Sequence, residues 1–246
     1  MKPSINDILE GLDAERIGLD ESFSFHCTQC GKCCQNRSDI LLNPLDLYQA
    51  AKAMNISILK FVNDFCEAFP GENSLFPIIR LLPRGESKTC PMLKDNKCII
   101  HHAKPTVCAM YPIGRGILMG SHEHCWDLLG EDRIEYIFSK PNCGDTAESH
   151  TVREWLEQFG IPLDNEFFVK WCVIMRDVSA CIEVLFKKEQ VEEIVHLVEI
   201  SIFKLYLDYD LEQEFMEQFE KNINEVRFAC VCTLPEERKS INGGNI

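Results

Sequence analysis

A chain of 246 residues, 46% hydrophobic and 26% charged, has the make-up of a globular protein of one or two domains. Its 39 acidic against 25 basic side chains give a net charge of −14, which repels phosphates and anionic lipid and argues against a nucleic-acid or membrane partner. No apolar run approaches the roughly 18 residues of a membrane helix, and the acidic start of the chain lacks a secretory apolar segment, so a cytoplasmic location is expected.

The expected elements follow in chain order. Asn43-Pro44 reads as a cap with proline at the first helical position, opening a helix through Met54. Ser57 caps a second, with Phe61, Val62, Phe65, Cys66 and Phe69 on one stripe. Ile78–Leu82 is a short apolar run between prolines and reads as a strand. Lys94-Asp95-Asn96-Lys97 is a turn between two cysteines, and Pro105 suits the first turn of a short helix carrying Cys108. Thr151-Val-Arg-Glu154 is a capping box for a helix to about Phe159, and Asp164 opens another to about Lys188. Val191, Ile194, Val195, Val198, Ile202 and Leu205 trace a third stripe, and Leu211, Phe215 and Phe219 a fourth, before a Gly243-Gly244 tail.

This pattern predicts a mainly α fold in two parts. Residues 1–147 form an irregular, turn-rich cysteine-cluster metal-binding domain, and residues 148–246 a C-terminal helical bundle.

Fourteen cysteines are far too many for a cytosolic chain that merely packs them, and there they stay thiols or bind metal. The densest run is Cys27-Thr-Gln-Cys30-Gly-Lys-Cys33-Cys34. Thiolates three apart in a tight turn converge on one centre, and the first three have the spacing that wraps three corners of a [4Fe–4S] cube. Cys90, Cys98, Cys108 and Cys143 bring the set to eight, enough for two four-thiolate sites. Cys125, beside His122 and His124, is a ninth candidate ligand, and His101-His102 lies in the same region. The metal is an iron–sulfur cluster on the spacing argument, with zinc as the alternative.

The runs C-x₂-C-G-x-C-C, then C-P-x-L-x₄-C-x-I, then Pro105-x-x-Cys108-x-x-Tyr111-Pro112 resemble the CxxCxxCC (YkgJ-type) cysteine-cluster family of zinc- or iron-chelating proteins. The resemblance covers about residues 23–145. It implies metal ligation and, through the family's flagellin-lysine methylase relatives, an iron–sulfur cluster.

The other cysteines read differently. Cys66 sits on an apolar stripe and is core. Cys172 and Cys181 are half a turn out of phase on one helix and are core too. In an extended Cys230-Val-Cys232 the two thiols would face the same way, as a metal or redox pair. Phosphate-loop, H-E-x-x-H and G-x-S-x-G signatures are missing.

Three functions follow. The first is a metal-binding redox, metal-handling or assembly module. The second is a metal-dependent enzyme such as a protein-lysine N-methyltransferase. The third is a structural zinc scaffold that docks a protein partner. Glu192, Glu193, Glu199, Glu212, Glu217 and Glu220 offer a basic protein partner an acidic surface.

Overall fold

The computed structural model describes residues 14–72, 74–117 and 134–233, so Cys125, His122, His124 and the Gly243-Gly244 tail lie outside the described residues. Strands β1 (Ala14–Ile17) and β2 (Ser22–His26) precede a 3₁₀ turn at Lys32–Cys34. After β3 (Leu41–Leu42) comes α1 (Pro44–Met54). Asn43 caps it by accepting the Asp46 N–H, while the Asp46 carboxylate takes the Asn43 N–H. Ser57 caps α2 (Ile58–Phe65). This helix stops four residues short of the expected Phe69, because the chain turns extended at Cys66 and forms β4 (Cys66–Pro70). Cys66 is therefore a buried strand residue, and burial pushes its thiol up to about 12.

Next come β5 (Pro77–Leu81) and a hairpin of β6 (Leu93–Lys94) and β7 (Lys97–Cys98). Asp95 and Asn96 turn the hairpin at φ 51° and 59°, a left-handed pair that Asn and Asp tolerate. A 3₁₀ turn (His101–Ala103), α3 (Thr106–Met110), β8 (Ile113–Ile117), β9 (Ile134–Ser139) and β10 (Asp145–Thr151) follow. The reciprocal bonds of Thr151 and Glu154 then start α4 (Val152–Gln158). Asp164 accepts the Glu166 N–H as α5 (Glu166–Lys187) opens. Finally, α6 (Val191–Ile202) runs into a π-helical turn at Phe203–Leu207, before α7 (Phe215–Thr233).

Among the described residues helix accounts for 47% and strand for 22%, with several small antiparallel sheets, so the fold is mixed α/β. This corrects the mainly α expectation. Among the strands it missed, β1 pairs with β9 and β2 with β10, far away in sequence, and such pairing leaves no local periodicity to read.

The chain divides into two compact units, one from Met1–Ile40 and Leu81–Val169 and the other from Leu41–Arg80 and Lys170–Ile246. Residue 148, the expected boundary, falls within β10 of the first unit. That unit carries an antiparallel sheet of order β1-β9-β8 and the β2–β10 pair, in which His26 faces Asp145 and Ser22 faces Thr151 across a bulge. Its core gathers Phe23, Phe25, Met110, Ile113, Tyr136, Val152, Trp155 and Leu156. Trp155 stands edge-on to both Phe23 and Phe25, and its indole N–H bonds to Met110 O at 3.1 Å.

The second unit packs the β3-β5-β4 sheet with α1, α2, α6, α7 and most of α5. Phe76 lies edge-on to Trp171, and the buried Tyr206 hydroxyl donates to Pro77 O at 2.9 Å. On α6 the buried side chains are Leu197 and Ser201, whereas Val191 and Val195 of the expected stripe are exposed. Cys230 and Cys232 both lie in α7 rather than in an extended segment, so one is buried and the other exposed. They form no same-sided pair. Cys230 instead meets Cys181 of α5, whose thiol also lies 3.6 Å from Cys230 O and 3.3 Å from Thr233 Oγ1.

Candidate metal centre

The site is built on four stretches of the first unit. Gln29 at φ 52° and Gly31 at φ 72° bend the chain into the turn that carries Cys27, Cys30, Cys33 and Cys34, closed by Cys34 N–H bonding to Gly31 O at 3.0 Å. Cys90 then joins that turn, its N–H donating to Cys34 O at 2.8 Å, and the β6–β7 hairpin delivers Cys98. Cys108 comes from α3, where its N–H bonds to Pro105 O, and Cys143 from the residues just before β10.

All eight of these cysteines line one cavity of about 80 Å³, together with Arg37, His101, Lys104 and Tyr111. Phe25, Met92 and Trp155 line it as well. Organic ligand sites run to about 300–1,000 Å³, so this space suits an ion or a compact inorganic group. Cys90 is buried, Cys30 is exposed, and the other six are half-buried.

Cys33 is the electrostatic centre of the set. Its thiol is held well above the usual value, first by the hydrogen bond with Cys34 Sγ at 3.9 Å, then by burial, then by the Cys34 and Cys30 charges. Burial raises Cys90, Cys98 and Cys143, and each also feels Cys33. Cys30 goes the other way, because the backbone N–H groups of Lys32 and Gly144 and the Thr28 side chain hold its thiolate. Mutually repelling soft donors around one space are what a thiophilic cation relieves. The donor set therefore fits zinc or iron. The 3.9 Å between Cys33 and Cys34 is near the edge, about 3.8 Å, of a tetrahedral zinc–thiolate site. Among the described residues, no three His, Cys, Asp or Glu side chains yet close tightly enough to hold a single ion.

Several residues take supporting roles that the sequence reading did not assign them, Tyr111 of the Pro105–Pro112 motif among them. Arg37 donates from Nη1 to Cys33 O at 3.4 Å and from Nε to Asp39, and its charge faces Cys108 and Cys33. Lys104, beside Cys98, stands 4.0 Å over the Phe159 ring. The Tyr111 hydroxyl accepts the Asn142 N–H and lies beside Cys143. Nothing local marks these roles, since each is set by the approach of another stretch. His102 is absent from the lining, and its ring stands edge-on to that of His101. None of the described helices is long and apolar enough to cross a membrane.

No curated protein and no solved structure matches the chain. Residues 26–127 match the CxxCxxCC family model, described as "Putative zinc- or iron-chelating domain". Seven of the eight cavity cysteines fall inside that match and Cys143 lies beyond it. The family that the cysteine spacing resembles is thus the one whose model matches residues 26–127.

Proposed function

We propose that the first unit holds iron as an iron–sulfur cluster through thiolates drawn from Cys27, Cys30, Cys33, Cys34, Cys90, Cys98, Cys108 and Cys143, and that the protein serves as a redox or metal-handling module. The observation that carries this reading is the lining of a single small cavity by all eight cysteines. The even C-x₂-C-x₂-C spacing favours a cube over separate zinc ions. A cluster would supply one-electron chemistry in a site whose surroundings, Arg37, Lys104 and the backbone N–H groups at Cys30, stabilise negative sulfur.

Zinc is the second reading, favoured by the Cys33–Cys34 separation. Anaerobic purification followed by metal and acid-labile sulfide analysis separates the two. Iron and sulfide in equal amounts, with the brown charge-transfer colour, support the cluster. Zinc without sulfide overturns it in favour of zinc, and a colourless, metal-free protein from metal-replete cells overturns both.

A further inference from the structure

One helix of the second unit carries two apolar faces. Leu197 and Ser201 of α6 are buried in their own unit. A separate row at helical spacing runs through Val191, Val195, Val198 and Ile202, with Val191 65% and Val195 50% exposed and Val198 and Ile202 half-buried. Single exposed aliphatics are ordinary, but this row, open at Val191 and Val195 and half-buried at Val198 and Ile202, is a helix face that the described residues cover only in part.

The charges beside this row are as uneven as its hydrophobicity. The helix bears Glu192, Glu193 and Glu199 and no Lys or Arg. None of these three carboxylates has an ion-pair partner among the described residues. Several acids elsewhere in the unit are paired, Glu220 with Lys170, Glu183 with Lys187, and Asp208 and Glu225 with Lys204, while Glu212, Glu214 and Glu217 share the unpaired state of the α6 carboxylates. A second copy of this helix would set like charges against each other. The complement is a strand of cations flanking an aliphatic row.

We infer that the outward face of α6 is a docking surface for a basic amphipathic helix of a protein partner, its apolar side on Val191, Val195, Val198 and Ile202 and its Lys or Arg side chains against Glu192 and Glu199. The burial of the row supplies affinity, and the carboxylates supply orientation and association rate. This surface is independent of the metal reading, because no cavity cysteine lies on α6.

The test uses the full chain and a synthetic helical peptide with a leucine row flanked by lysines, read by fluorescence anisotropy. A peptide of the same row flanked by glutamates is the control. Binding of the lysine peptide alone, weakened about tenfold or more by Val195→Asp, supports the surface. So does a larger loss for Glu192→Lys with Glu199→Lys than for Glu157→Lys on α4, an exposed acid of the first unit. Circular dichroism checks that each variant keeps its helix content. Failure to bind the lysine peptide, equal binding of both peptides, or equal losses for near and distant charge reversals would overturn the proposal. Sedimentation showing a dimer that Val195→Asp dissolves would overturn it too, assigning the face to a second copy.

Discussion

The Tyr111 hydroxyl accepts the backbone N–H of Asn142 at 3.2 Å and receives the Cys143 thiol at 3.8 Å. One side chain just past α3 thereby fixes the residue before a cavity cysteine and the cysteine itself. Burial, the first cause, pushes this phenol up to about 12, so it stays a neutral hydroxyl through the physiological range. Tyr111→Phe keeps the ring and removes the anchor. The variant is expected to fold and load metal, to lose about 1 kcal/mol of stability, and to surrender metal to a chelator faster than wild type. A release rate equal to wild type would show that Tyr111 does not hold the Cys143 stretch.

Metal removal should act on one unit only. The first unit has short elements around its cysteine cavity, and the second has long helices with a continuous core, so metal binding is the larger share of the first unit's folding energy. Limited proteolysis of the chelated protein is expected to cut within residues 81–117 and 134–169. Residues 41–80 and 170–233 should be spared. Cleavage spread evenly through 41–80 would contradict the division.

Two glycines at nearly the same φ make a graded pair. Gly31 (φ 72°) has room, since an added Cβ would make ordinary contacts with the Leu93 methyl groups at 3.6 and 3.7 Å and with Asn96 O at 3.9 Å. Gly144 (φ 71°) has none, since its Cβ would meet His26 O at 2.4 Å and the Phe25 ring at 2.7 Å. Gly31→Ala should cost about 1 kcal/mol from backbone strain alone. Gly144→Ala should cost about 3 kcal/mol or more and weaken metal retention, as its N–H also faces Cys30. Thermal melts that rank the two equally would refute this.

The sign of the pH dependence of the second unit follows from Cys66. Its folded thiol titrates at about 12 against 9.0 for an ordinary thiol, because burial disfavours the thiolate. A raised value stabilises the fold fully below about pH 9. That contribution fades as pH climbs from there toward about 12, by about 1.4 kcal/mol per pH unit. Cys66→Val removes this contribution. Urea titrations at about pH 8 and about pH 10.5 should show wild type losing about 2 kcal/mol more than the variant. Equal losses would place the alkaline sensitivity elsewhere.

Local chemistry was legible and long-range pairing was not. The caps at Asn43, Ser57 and Thr151 could be read because each donor and acceptor lies three residues from its partner. The pairing of His26 with Asp145 spans most of the first unit, and β10 (DTAESHT) is polar and largely exposed, so no alternation announced it. Cys66 was placed on a helix and Cys230-Val-Cys232 read conditionally as extended for one reason: a short apolar segment reads equally well as helix or strand until its neighbours decide. The eight cysteines were nameable from spacing. The residues that set their charge, Arg37, Lys104, Tyr111 and the N–H of Gly144, were less so, because each reaches a sulfur through folding rather than sequence.

The route of the chain between its units bears on how the protein is made. Cys27–Cys34 leave the ribosome first, the Leu41–Arg80 excursion follows, and Cys90, Cys98, Cys108 and Cys143 come later. The nascent chain therefore exposes four clustered thiols long before their companions exist. The excursion itself waits for Trp171 and Tyr206 to cover Phe76. A fragment ending at residue 147 would own every cavity cysteine and still be sticky, with the apolar side of 41–80 bare. Neither unit can be completed by the ribosome before the other has begun, which makes early capture of metal, or shielding by a chaperone, a demand of the topology itself.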